Sequence, residues 1–125
     1  MTENRDNFLL KQGDNMITIA GEVVASMAAA AAVEVENVTG LAVAPQLPAE
    51  HTDSFVHKNN VKGVRVIWVE EDTCRLELYV TVKLGAAVKD VASAIQDKVK
   101  FAVESASGLN VKAVDVYVAG ISLKK

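Results

Sequence analysis

The chain has 125 residues, half of them hydrophobic, which suits one domain with a core of its own and leaves no room for separate catalytic and cofactor domains. Its single cysteine, Cys74, excludes an intramolecular disulfide framework and cysteine-cluster zinc sites, and it is compatible with a reducing cytosol. A net charge of −3 gives no global attraction to phosphate backbones or anionic lipid, so nucleic-acid or membrane contact would need a local basic patch.

Residues 1–15 are polar and charged apart from Phe8, Leu9 and Leu10, and they predict a flexible N-terminal tail that orders only if this trio docks. Met16 to Ala20 predicts a short strand, after which Gly21 and Glu22 open a helix with the acid in its first turn, where the helix dipole favours it. The five alanines that follow Met27 look like the core of a secretion signal. Basic residues ahead of the apolar run are missing, however, and Glu22 interrupts it. Between Glu22 and Glu34 the apolar stretch runs only from Val23 to Val33, too short to span a bilayer, so direct membrane insertion is not expected. A helix fits better, with Val24, Met27 or Ala28, Ala31 and Val35 on its buried stripe and alanines that let it lie close to a neighbour. Gly40 is its expected stop and Leu41 the residue that packs back onto it.

The segment 45–60 holds both prolines and both histidines without a sustained period, and it predicts a long loop. A hairpin follows. Val64, Val66 and Trp68 alternate on one strand and Cys74, Leu76, Leu78, Val80, Val82 and Leu84 on the next, joined by a solvated acidic turn at Glu70 to Thr73. Their opposite face carries Arg65, Ile67, Val69, Arg75, Glu77, Tyr79, Thr81 and Lys83. A second helix places Val88, Val91, Ala92, Ile95, Val99, Ala102, Val103 and Ala106 on one face. Phe101 breaks that pattern, projecting at about 220° from Val88 amid the polar face beside Ala94, which marks the pair as a candidate contact point. Gly108 and Leu109 form the stop of this helix, and Val114, Val116 and Val118 give the last strand, with Asp115 and Tyr117 facing outward.

"VENVTGLAV" from Val35 and "VESASGLNV" from Val103 share the pattern V-E-x-x-[ST]-G-L-x-V, an echo that suggests the same helix stop used twice. The expected order is β-α-β-β-α-β, an α+β domain over residues 16–125 with a small mixed sheet and two helices packed on it.

Nothing in this pattern assembles a catalytic site. His51 and His57, six residues apart, would lie on opposite sides of a helix, and with Asp53 they have no compact metal-ligand spacing. Cys74 alternates with Leu76 and Leu78 and so points into the core, where a thiol without a cationic neighbour is inert. Glu70, Glu71 and Asp72 lack a second acidic cluster to complete a cation site, and no phosphate loop occurs among seven glycines. No catalytic, cofactor or metal residue is assigned. The order of elements, with Tyr79 and Tyr117 on one sheet face, also suits an RNA-binding module, but "CRLELYVTVKL" lacks the aromatic-and-basic signature of such strands and the chain is acidic.

Three stretches in order, "ITIAGEVVASMAAAAAVEVENVTGLA", "KGVRVIWVEEDTCRLELYVTVKLGAAVKDVASAIQDKVKFAVESASGL" and "VKAVDVYVAGI", give the chain a resemblance to the alkaline shock proteins of Gram-positive bacteria, also called the general or cell-envelope stress response family. The resemblance covers Ile17 to Ile121, and the absence of long charged tails is similar to the short members. It implies a non-catalytic cytoplasmic protein of cell-envelope homeostasis, held at the membrane in some members by a separate membrane-spanning partner. Short members are encoded beside kinases of the dihydroxyacetone or fatty-acid type, which implies a kinase as an alternative partner. The family has no established catalytic residues. The combined expectation is a structural or adaptor protein that works by self-association or protein docking, with Phe101 and Ala94 on the outer helix face and Ile67, Tyr79 and Tyr117 on the outer sheet face as contact residues.

Overall fold

The computed structural model describes residues 7–42 and 63–123. Its elements are β1 (Asn7–Gln12), β2 (Asn15–Ala20), α1 (Gly21–Val33), β3 (Val38–Leu41), β4 (Val64–Glu70), β5 (Thr73–Lys83), α2 (Val88–Ser107) and β6 (Asn110–Ser122). The class is α+β with two helices on a mixed sheet, as the patterning predicts. The expected order is present as β2-α1-β4-β5-α2-β6, with β1 and β3 in addition.

β5 is the centre of the main sheet. β6 runs parallel to it along its whole length, while β4 and β3 share its other side, both antiparallel, against residues 73–78 and 80–82. The parallel pair is bridged by α2, as a parallel connection requires. Alternation then sorts the side chains. Cys74, Leu76, Leu78, Val80 and Val82 of β5 are fully buried beneath the helices, as is Val66 of β4, and Val64 of β4 and Val111 and Val114 of β6 are buried beside them.

α2 lays Val91, Ile95, Val99 and Val103 on that face at four-residue spacing. It ends at Gly108, whose φ of 81° is the left-handed cap conformation, with its N–H donating to the Glu104 carbonyl and Leu109 buried just beyond. α1 buries Val24, Ala25, Ala28, Ala31 and Ala32, and the small side chains bring it close to α2.

Two expectations are corrected. First, residues 7–15, expected as part of a flexible tail, are ordered, because the Phe8-Leu9-Leu10 trio docks. Residues 7–20 form a hairpin about Gly13, which takes a φ of 62° in the two-residue turn. Phe8 docks it: the ring is fully buried in the core, and the Leu9 N–H donates to the Glu71 carbonyl at 2.6 Å. Second, Gly40 does not stop α1, and Leu41 is not its latch. The helix ends at Val33, and Glu34 and Val35 donate to the carbonyls of Ala31 and Ala32 in a tightened last turn. Asn37 takes the positive φ, 76°, and Gly40 and Leu41 lie inside β3 opposite Thr81 and Val80. Glu34 and Glu36 sit where the helix dipole disfavours acids, Val35 and Val38 prefer extended backbone, and asparagine tolerates the left-handed region. The loop expected at 45–60, with His51, Asp53 and His57, lies outside the described residues.

Candidate functional site

Alternation leaves two surfaces on which the expected contact residues could act. The outer sheet face is the first. Register places Tyr79 opposite Tyr117, Glu77 opposite Asp115 and Arg65, and Arg75 opposite Ile67. Polar groups tie this face together. Tyr79 Oη donates to Glu77 Oε1 at 3.1 Å and accepts from Arg65 Nη1 at 3.3 Å, and Arg65 and Glu77 approach to 3.4 Å. Arg75 Nε donates to Asp115 Oδ2 at 2.9 Å.

Tyr117 packs edge-on against the Tyr79 ring with 5.3 Å between centroids. As a result Tyr79 is only 8% exposed, and burial pushes its phenol above the ordinary range. This corrects the expectation of Tyr79 as an open contact: its hydroxyl is engaged and its ring is covered. Ile67 is half-buried, and of the two tyrosines only Tyr117, 55% exposed, offers its ring. A platform stacking two successive bases needs two open rings, so this face does not present one.

The second surface is where α1 and α2 meet away from the sheet. Because α2 commits its 91-95-99-103 stripe to the core, Ala94, Lys98, Phe101 and Ser105 recur at spacings of four, three and four along an outer strip. Phe101 is 73% exposed. Single exposed apolar side chains are common, and Leu123 is as open, so what marks Phe101 is the apolar recess that it borders. Beside it runs a groove of about 350 Å³, floored by Ala31 and Ala102 and walled by Met27, Ala30, Ala106 and the Phe101 ring. Lys98 Nζ and Glu34 Oε1 pair across the two helices at 3.1 Å on its rim.

Phe101 and Ala94 are both exposed on this strip, whereas the groove itself was not foreseeable from α2 alone. Its other wall belongs to α1. The hint in the sequence is Ala30 and Glu34, four apart on the face of α1 that its buried residues leave free.

Among the described residues no three His, Cys, Asp or Glu side chains converge to hold a metal ion. Cys74 is fully buried, and burial, with a smaller contribution from Glu104, pushes its thiol from 9.0 up to about 12. Below pH 9 both folded and unfolded chains keep the proton. Above it the unfolded chain releases the proton first, so stability falls by roughly 1.4 kcal/mol per pH unit until the folded thiol titrates near pH 12. Urea melts at pH 8, 9, 10 and 11 are expected to show little change up to pH 9 and a fall approaching this slope above it in the wild type, and a flatter course in Cys74→Ala; equal courses would mean the folded thiol titrates normally.

A model of the alkaline shock protein 23 family, described as having a cell envelope-related function, matches residues 10–123. The uncharacterized protein YloU of Bacillus subtilis (strain 168) is 33% identical over 105 residues, covering 84% of this chain and 87% of that protein. The uncharacterized protein Spy1614 of Streptococcus pyogenes serotype M6 is 28% identical over 110 residues, covering 88% and 90%. Among solved structures, variants of the MamM CTD are similar at TM-scores of 0.48 and 0.47, with 19% and 18% sequence identity, over 80% of this chain and 94% and 96% of theirs.

Proposed function

The chain belongs to the alkaline shock protein family, of cell envelope-related function, and from this premise we propose that it is a non-enzymatic adaptor that works by protein docking through the outer face of its two helices. The observation that carries the reading is Phe101, held 73% exposed beside an apolar groove on a scaffold whose opposite face is fixed by the core. An aromatic anchor next to a recess is the usual centre of a protein contact. Neither described helix is long and apolar enough to cross a membrane. The proposal places the protein on the cytoplasmic side, as the family resemblance implies, and routes its link to the envelope through a protein partner.

Affinity purification from the native cell, with and without detergent, tests this. The wild type is expected to retain a partner that Phe101→Glu loses at least tenfold, roughly the effect of removing an interface anchor, while the melting temperatures of the two proteins agree. A membrane protein recovered only with detergent would identify the envelope link. A kinase recovered without it would assign the face to metabolic regulation instead. Identical eluates from both proteins would remove Phe101 as the docking residue.

A further inference from the structure

We infer that the groove between α1 and α2 receives Phe101 from a second copy of this chain, so that two copies pair about a two-fold axis with each knob in the other's groove. This rests on the docking reading above and names the occupant. The surface carries both halves of one contact. Phe101 projects from the same face that holds the recess, and a patch with knob and hole together satisfies the condition for isologous pairing, in which one residue meets a second across the axis and the reverse contact follows.

The recess suits a phenyl ring. Ala30, Ala31, Ala102 and Ala106 contribute only methyl groups and so leave space where larger side chains would fill it, and Met27 supplies an adaptable wall. The volume of about 350 Å³ exceeds that of a benzyl side chain. Since Phe101 also borders its own groove, exchange of the two knobs brings the two rings side by side, where edge or offset stacking adds to the contact.

Charge agrees with a second copy. Glu34 and Lys98 put one acid and one base on the rim, so two identical rims can meet acid to base without a forced like-charge contact. A strongly acidic or basic partner would gain nothing from so balanced a rim. Area sets the strength. An aromatic side chain buries about 150–250 Å², whereas a stable interface buries roughly 800 Å² per partner. The knob supplies about a quarter, and the strip from Ala94 to Ser105 with the free face of α1 must supply the rest, which predicts a weak dimer that depends on concentration.

Sedimentation of the full chain over a concentration series tests the pairing. The wild type is expected to approach twice the monomer mass at about 100 μM, above the micromolar dissociation constant typical of modest interfaces. Phe101→Ala removes the knob and Ala30→Trp blocks the groove, so each variant alone is expected to stay monomeric with an unchanged circular dichroism spectrum. Mixed in equal amounts, the two should associate again, more weakly than the wild type, because the knob of Ala30→Trp can enter the groove of Phe101→Ala, which loses the wall its own ring supplied but keeps its alanine floor and its Met27, Ala30 and Ala106 walls. A simple loss of folding in either variant would not produce that recovery.

A wild type that stays monomeric throughout, a Phe101→Ala variant that still dimerises, or a mixture that stays monomeric would each overturn the inference. If the wild type is monomeric but Phe101→Glu still loses its cellular partner, the adaptor reading stands and the occupant is another protein. If the wild type pairs through Phe101 while Phe101→Glu keeps every cellular partner, the pairing stands and docking through this face falls.

Discussion

Phe8→Ala is expected to destabilise the protein by about 3–5 kcal/mol, the cost of emptying a fully packed aromatic site. Among the described residues Phe8 is the largest of the fully buried side chains, yet it comes from a two-stranded hairpin that is not part of the main sheet. A hairpin of two strands is marginal by itself in water, so β1 and β2 depend on what they dock against. Leu10 and Ile19 add half-buried apolar contacts with the core, and the polar ties are slender. Leu9 donates one backbone hydrogen bond to Glu71, Leu10 rests near Gly108, and Lys11 meets Glu71 at 3.8 Å with both side chains more than half exposed. An ion pair of that kind contributes at most about 1 kcal/mol, and Lys11→Ala should be nearly silent.

Urea melts separate two outcomes of the Phe8 change. If the hairpin stays docked, the midpoint falls and the slope is kept. If it detaches, the folded state already exposes that surface and the slope also falls. Amide exchange at Leu9 reports the same event directly. A loss below about 1 kcal/mol would mean that the ring is not the anchor.

Where local periodicity and core burial coincide, the fold is legible. The α2 stripe and the β5 alternation each repeat four times or more, and both faces emerge through the middle of their elements, while the end positions Val88, Ala106 and Leu84, expected on them, are exposed. Legibility fails where a short segment depends on distant contacts. Residues 7–12 offer only three consecutive apolar residues, and no alternation shows which of them faces inward. Gly13-Asp14 between that trio and Met16 is the available signal, since a Gly-Asp pair flanked by apolar runs suits a two-residue hairpin turn.

The echo between Gly40 and Gly108 misleads for another reason. Identical letters do not fix the backbone when acids and β-branched residues end a helix nearly two turns sooner. As for the candidate site, the helical wheel puts Phe101 outside the core stripe, but the groove requires the packing of α1 on α2. On the outer sheet face, alternation finds Tyr79 and Tyr117 together, and only strand register reveals that Arg65, Glu77 and Tyr117 close around Tyr79.

Gly63→Ala is expected to cost about 2–5 kcal/mol, combining the strain of a left-handed alanine with overpacking of rigid neighbours. The chain leaves β3 and returns to β4 at one point of β5: Ala42 N–H donates to the Tyr79 carbonyl at 2.7 Å, and Tyr79 N–H donates to the Gly63 carbonyl at 2.8 Å. Gly63 closes this neck with a φ of 83°. A Cβ there would stand 2.7 Å from Leu41 Cβ, 2.9 Å from the Ala42 carbonyl oxygen and 3.0 Å from the Tyr79 carbonyl oxygen. Two of those atoms are backbone and cannot swing aside, so relief requires β3 and β4 to part at Tyr79.

Gly13→Ala is the control, because Gly13 has a similar φ of 62° and nothing within 4 Å of the added carbon. It bears the conformational strain alone, about 1–2 kcal/mol. The excess in Gly63→Ala then measures the clash. Parting the strands also loosens the backbone that sets the Tyr79 ring against Tyr117, so tyrosine fluorescence or aromatic NMR shifts should change in Gly63→Ala and not in Gly13→Ala. Equal losses in the two variants would show that the neck yields without effort and that Gly63 matters for its φ alone.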